Sequence, residues 1–454
     1  MGVKPAQPVP CAWFDEYQQE SELCVESQAF MESHQRFVTK RAARLGKESV
    51  RRKASLVPLN LPPGQENEAL KINAMALSSS ILQGAVELHQ AHAQTCPQSS
   101  KQVSIGLVRF ANVKPIIHIA RSMLNVADIP GDTQVYLCCY HAKQLLILRD
   151  SLEQKLDRIL SRGAPDPLLT QPEILAAVNG SESKHHVFIV LASPVAEVGR
   201  DHDYDWAIVE PSSMRSLVQL AGRVWRHRPD KVAIAPNLLI LEQNIKALKG
   251  EAICFNHPGF EQEPRFKLSS HHCTDLIAEG QLNRVDSMPR IIRGAELHPQ
   301  SSLADLEHAV MQDLLNNPEN FVSAFWRPNN GNIASVHLQK ISPFRYQDRP
   351  DDDYVCIPTP DDDAPFGFTL AESAWEDLET CNFQNSKIHF DNMYFDDNSQ
   401  VKPWLAFNLD GALRALADKI DEPDIAIAAL KFATVSLDRN DGRWLFHPWL
   451  GFWQ

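Results

Sequence analysis

Arg223 and Arg226, led by Gln219 and Gly222, make the pattern Q-x-x-G-R-x-x-R within the run S-L-V-Q-L-A-G-R-V-W-R-H-R from Ser216 to Arg228. An arginine binds phosphate oxygens through a planar fork that keeps its charge near neutral pH. Two forks beside a small glycine suit the grip of a polyphosphate. On a helix, offsets of four and seven residues fall on one face, so the spacing predicts Gln219, Arg223 and Arg226 side by side. Ser212 or Ser213 is placed to N-cap that helix. Taken alone, an R-x-x-R is more often a solvated basic face, so a second motif has to make the first specific.

That motif lies just upstream, in A-S-P-V-A-E-V-G-R-D-H-D-Y-D from Ala192 to Asp205. Gly199 permits a close approach of backbone to a ligand. Asp201 can accept hydrogen bonds from a ribose hydroxyl. Ser193 stands at the end of an apolar run, where a hydroxyl and backbone N–H groups can meet a phosphate. By itself a Gly and an Asp after a strand are an ordinary α/β turn.

The elements that must position these residues alternate. Val103–Phe110, Thr133–Cys139, Val187–Ala192, Trp206–Glu210 and Val232–Leu241 read as strands, with helices near Pro115–Leu124 and Ala142–Leu160 and from Ser213 onward. Such alternation predicts right-handed βαβ units and a parallel sheet covered on both faces. Ligands then sit at the carboxyl ends of strands. Residues 14–53 read as helical, 54–66 as a proline-punctuated break, and 67–95 as helical again. Helices are expected around Leu303–Leu315 and Leu409–Ala417, and the aromatic end, Trp444–Trp453, is expected to be packed. The division expected is 1–100 helical linker, 101–255 sheet domain, 256–335 linker with helices, and 336–454 a smaller α+β domain.

The 454 residues carry a net charge of -13, unevenly spread. Arg36 to Lys53 is basic and Asp348 to Asp397 acidic, with runs at Asp351–Asp353 and Asp361–Asp363. The basic run suits DNA phosphates or a solvated helix, and its nearness to the motifs tilts the reading to DNA. Nine scattered cysteines without a C-x-x-C suit reduced thiols in a cytoplasm. No apolar run approaches the roughly 20 residues that span a bilayer, so no membrane partner is expected. His89 with His92, and His271-His272-Cys273, have metal-ligand spacing but read better as ordinary polar faces. His202-Asp203 lies in a loop between strands and reads poorly as a metal site.

A strand, Ser193, Glu197, Gly199-Arg200-Asp201, a strand, then a helix with Q-x-x-G-R-x-x-R is similar to the order of motifs V and VI in superfamily 2 helicases. The wording D-H-D-Y-D-W, E-P-S-S-M-R-S and Q-L-A-G-R-V-W-R-H-R closely resembles the CRISPR-associated helicase–nuclease of type I-F systems. G-L-V-R-F-A-N (Gly106–Asn112) resembles its motif IV, and L-C-C-Y-H (Leu137–His141) the next segment. The basic helical region before residue 54 and S-P-F-R (Ser342–Arg345) look like family features too. The resemblance implies a RecA-like fold and an ATP-dependent helicase, a hydrolase of antiviral defence. It places Arg223 and Arg226 on the γ-phosphate of ATP, Arg226 as arginine finger. Gln219 would read nucleotide state, and Gly199, Asp201 and Gly222 would lie by the nucleotide. Ser193 and Glu197 would face the DNA side. Arg109, Asn112 and His141 would touch single-stranded DNA or support the loops that do. Trp225 departs from the general pattern, which has Gly there.

The resemblance also implies what is not here. There is no G-x-x-x-x-G-K-[ST]; Gly46-Lys47-Glu48 fails at the hydroxyl. The nuclease residues are missing as well. The chain thus reads as a C-terminal half that needs the first RecA-like and nuclease domains as partners, with the Mg2+ ligands on that first domain, and that does not hydrolyse ATP alone. The implied partners are single-stranded DNA, an RNA-guided type I-F surveillance complex and a CRISPR integrase complex. The other reading is a DNA-binding or docking module without hydrolysis.

Overall fold

The computed structural model describes residues 7–59, 68–97, 99–126, 129–316 and, with short gaps, 350–454. Ser342–Arg345, Asp362 and Asp363 lie outside the described residues. The first element is a hairpin, β1 (Val9–Phe14) and β2 (Gln19–Cys24), followed by α1 (Ser27–Leu45). The helix expected from residue 14 therefore starts later. Trp13 and Cys24 on one face of the hairpin pack against Phe37 of α1, a small core separate from the main one. Two strands alone are marginal in water, and α1 supplies the missing cover. The basic side chains of α1 reach back to the hairpin: Arg36 to Glu22 at 3.2 Å, Lys40 to Glu20 at 2.7 Å and Arg41 to Glu16 at 3.0 Å.

The stretch read as a break contains β3 (Ala54–Val57), which joins the central sheet. Next come α2 (Glu68–His92), β4 (Gln94–Thr95), β5 (Gln102–Arg109), α3 (Val113–Met123), β6 (Thr133–Tyr140), α4 (Leu146–Ile159), α5 (Pro172–Asn179), β7 (His185–Ala192), β8 (Trp206–Val209), α6 (Met214–Ala221) and β9 (Leu238–Leu241). The strand expected from Val232 is thus only its last four residues. Later strands are β10 (Asp351–Pro358), β11 (Phe366–Leu370), β12 (Ile388–Phe390), β13 (Val401–Pro403), β14 (Thr434–Asp438), β15 (Trp444–His447) and β16 (Gly451–Trp453).

The central sheet has eight strands in the order β13-β6-β7-β5-β8-β9-β3, with β4 beside β5. Every pair is parallel except β4 with β5. Both faces are covered. Leu107, Cys138 and Val190 face α4, α5 and α6; their neighbours Val108, Leu137 and Ile189 face α2 and α3. Two-sided burial explains why β5, β6 and β7 read as unbroken apolar runs. The edge strands β3 and β13 come from outside residues 101–255.

The C-terminal region holds two three-stranded sheets, β11-β10-β14 and β12-β15-β16, around Phe368, Phe446 and Phe452. Leu303–Asn316 and Leu409–Ile420 are helical, as expected, and Ile425–Phe432 is a further helix. Among the described residues, no helix is long and apolar enough to cross a membrane.

Candidate functional site

Ser213 opens α6 by accepting the Ser216 backbone N–H at 3.1 Å, and the helix stops at Ala221. The one-face argument for Gln219, Arg223 and Arg226 therefore fails: both arginines lie beyond the helix, in a turn. That turn reverses at Trp225, whose φ of 51° is left-handed. Left-handed backbone disfavours a residue with a Cβ, which accounts for Gly at this place in the general helicase pattern. Here the indole is buried, with His92 edge-on at 5.5 Å and the Lys231 ammonium 5.1 Å from the ring centre.

The three side chains converge nonetheless, on the loop after β7. Gln219 Nε2 donates to the Glu197 carbonyl at 3.3 Å. Arg223 donates to the carbonyls of Glu197 and Arg200. It is buried, and burial, then Arg226, lowers the pKa of its guanidinium. Arg226 is 42% exposed and pairs with Asp201, itself 67% exposed. That contact, ahead of His227 at 3.1 Å, holds the Asp201 carboxyl below its usual range. Gly199 turns the loop at φ 70°. Gly222 caps α6 at its C-terminal end. So Arg223 fastens the two motifs together through backbone, while Arg226 presents its guanidinium to solvent.

Of the residues expected on the DNA side, Asn112 alone is exposed, at the N-cap of α3. Ser193 and Glu197 offer little side chain to solvent. Arg109 is fully buried: Nε lies 2.6 Å from Glu197 Oε1, and Nη1 donates to the Glu210 carbonyl at 2.9 Å. Burial pushes the Glu197 carboxyl up, against the pull of Arg109. Glu210, a residue the sequence did not single out, accepts the N–H groups of Ala111 at 2.6 Å and Ile245 at 2.8 Å. His141 is also fully buried, and burial lowers its pKa to about 4. Its Nε2 bonds the Leu450 carbonyl at 2.8 Å. Gly451, at φ 81°, packs so close that a Cβ would sit 2.6 Å from the imidazole. Arg109 and His141 thus occupy supporting positions beneath the strand-end loops.

A buried charge network underlies the turn and was not foreseen. Arg228 donates to Asp203 at 3.1 Å, to Asp205 at 2.7 Å and to the Tyr204 carbonyl at 2.8 Å. Arg162 reaches Asp205 at 2.9 Å and Asp166 at 2.6 Å. Burial alone would raise the Asp205 carboxyl, but Arg162 and Arg228 bring it down to about 2. His202 bonds Asp157 at 2.8 Å and Tyr204 at 3.1 Å, and burial lowers its pKa to about 4. His89 is satisfied by Ser104 at 2.8 Å and His185 at 3.2 Å, and His271 by Glu261 at 2.9 Å. Among the described residues no three His, Cys, Asp or Glu converge as a metal site.

Residues 102–229 match the family profile "CRISPR-associated nuclease/helicase Cas3, C-terminal", and residues 361–454 match "CRISPR-associated Cas3 subtype I-F/YPEST-like, C-terminal domain". The CRISPR-associated nuclease/helicase Cas3 subtype I-F/YPEST of Pseudomonas aeruginosa is 36% identical over 453 residues, 98% of this chain. The chain belongs to the C-terminal part of that Cas3 family. The Pectobacterium atrosepticum Cas3 of the same subtype is 38% identical over 375 residues. The chain spans 40% and 33% of the length of these two Cas3 relatives. Among solved structures, the T. fusca Cas3 with AMPPNP aligns with 90% of the chain and 43% of its own length, at 13% identity and TM-score 0.38. The first Cas3 profile spans β5 through Arg228, so it takes in the whole of the welded loop and turn.

Proposed function

We propose that this chain is the C-terminal part of an ATP-driven single-stranded-DNA translocase of CRISPR interference, contributing one wall of the ATP cleft. The observation that carries the reading is the weld between the two motifs: Gln219, Arg223 and Arg226 all contact the segment Glu197–Asp201. A movement of the loop after β7 therefore moves the turn, which is the coupling a translocase needs between strand and nucleotide. Arg226 acts as the finger, exchanging exposed Asp201 for the charge that develops on the transferred phosphoryl group. Asp201 and Gly199 border the ribose. Arg223, occupied by carbonyls, aligns the finger. Arg109, Glu197, His141 and the buried Ser193 brace the strand-end loops, from which Asn112 meets DNA. The phosphate loop and the carboxylates for Mg2+ belong to a first RecA-like domain, and foreign-DNA cleavage to a nuclease domain. The RNA-guided surveillance complex and the CRISPR integrase complex are the partners this reading assigns to the whole enzyme, in the cytoplasm.

The test is DNA-stimulated ATPase activity after mixing this chain with a separately made part carrying the phosphate loop. Arg226→Ala is expected to lower kcat by about 10³-fold, the low end for an arginine finger. Hydrolysis by the 454-residue chain alone would overturn the half-site reading. Wild-type kcat in Arg226→Ala would overturn the finger.

A further inference from the structure

Arg52 stands just before β3, where the chain enters the sheet from the hairpin side. Its backbone is fixed by a buried clamp: Asn237 donates from Nδ2 to the Arg51 carbonyl at 2.9 Å and accepts the Lys53 N–H on Oδ1 at 3.1 Å. The Asn237 and Leu238 N–H groups both donate to the Lys53 carbonyl at 3.0 Å. From this fixed point Arg52 Nε donates to the Val224 carbonyl at 3.0 Å, and its own carbonyl accepts the Val285 N–H at 3.0 Å. It lines a cleft of about 430 Å³, together with Tyr17, Glu48, Arg51, Gly222 and Asp286. Arg52 is thus the joint of three segments.

The joint matters because of what Val224 precedes. A left-handed non-glycine residue costs roughly 1–2 kcal/mol and persists only where its surroundings over-determine it. The Trp225 turn is held by Tyr204 N–H on the Arg223 carbonyl at 2.8 Å, by Trp225 N–H on the Tyr204 carbonyl at 3.1 Å, and by His227 N–H on Asp203 at 3.0 Å. Those three bonds all come from the motif loops. The bond from Arg52 comes from the segment that leads into the sheet. Burial, then Arg51, then Arg226, press on the Arg52 charge, whereas Asp203 supports it.

We infer that Arg52 is a positioning residue for Arg226: it sets the turn that carries the finger by holding the Val224 carbonyl. This rests on the proposed function. The test is DNA-stimulated ATPase of the complete, two-part enzyme, comparing Arg52→Ala, Arg52→Lys and Arg226→Ala. A displacement of about 1 Å at a reacting group can cost about 10²-fold. Arg52→Ala is expected to lower kcat by about that factor with KM for ATP within about twofold. Arg52→Lys, which restores a donor for the Val224 carbonyl, is expected to recover most of the loss. Amide exchange supplies a second readout on the 454-residue chain: Arg52→Ala speeds exchange in 223–227 and leaves 187–191 unchanged. If Arg226→Ala is inactive while Arg52→Ala has wild-type kcat, the inference falls and the functional reading stands. If Arg52→Lys is as slow as Arg52→Ala, positioning through a donor to the Val224 carbonyl is refuted. If Arg226→Ala is fully active, the functional reading itself falls.

Discussion

Asp205→Asn tests whether the buried network beneath the turn holds the sheet together. Asp205 has no exposed surface and lies 2.9 Å from Arg162 and 2.7 Å from Arg228. Breaking a buried ion pair by removing one partner costs about 3–5 kcal/mol. The lower end applies, because Arg162 keeps Asp166 and Arg228 keeps Asp203. The lowered pKa of the carboxyl gives a figure of the same order. The carboxyl falls from 3.8 to about 2, and at about 1.36 kcal/mol per pH unit that drop is worth about 2 kcal/mol. Both routes point to about 2–3 kcal/mol at pH 7. For a sheet domain of 150–250 residues this is a Tm loss of roughly 5–10 °C. Because the folded carboxyl is the more acidic, its contribution is full above about pH 4 and is lost as pH falls toward 2. Thermal melts of wild type and Asp205→Asn should therefore differ at pH 7 and draw together near pH 3. A Tm difference under about 2 °C at pH 7, or one that persists unchanged at pH 3, would refute the reasoning.

Trp225→Gly sets two effects against each other. Relief of the left-handed residue is worth roughly 1–2 kcal/mol, while loss of a buried indole costs roughly 3–5 kcal/mol. The expected net is a loss of about 2–3 kcal/mol, and a rise in Tm would show that strain outweighs packing here. His89, His141 and His202 all sit near pKa 4 because they are buried. Their unfolded forms take up a proton first, so stability is expected to fall as pH drops from about 6.5 toward 4. A Tm that is flat between pH 7.5 and 5, or a slope that His141→Gln does not reduce, contradicts this.

The core of the sheet was legible because burial on both faces leaves a simple trace. Val187–Ala192 is apolar at every position, so its strand nature did not depend on its partners. The two motifs were legible for a different reason, since their residue types are set by chemistry. What the sequence hid depends on distance. Gln19–Cys24 carries two glutamates and a serine, and its pairing with Val9–Phe14 outweighs its weak strand preference. Arg223 and Arg226 look equivalent as letters; only the fold shows that carbonyls of the neighbouring loop occupy the first and leave the second facing solvent. Asp203, Asp205 and Arg228 stood inside the quoted motifs, but Arg162 and Asp166, which complete their charge balance, lie on another segment. The helical-face argument failed because the helix ends at Ala221, before Arg223, and the chain then reverses at the left-handed Trp225.

The strand Val401–Pro403, seated on β6 with Val401 opposite Val135, has a consequence for the order in which the molecule is made. Some 260 residues separate Tyr140, the end of β6, from Val401. At about 5–20 residues per second, a ribosome needs about 13–50 s to cover that gap. For this interval β6 emerges as an uncovered sheet edge, with the backbone groups of Val135 and Leu137 that later bond Gln400 and Trp404 still open. Uncovered edges recruit other chains. A nascent chain halted before Val401 would thus be the aggregation-prone species, and the three-residue strand acts as a late seal on a sheet whose other parts are already in place.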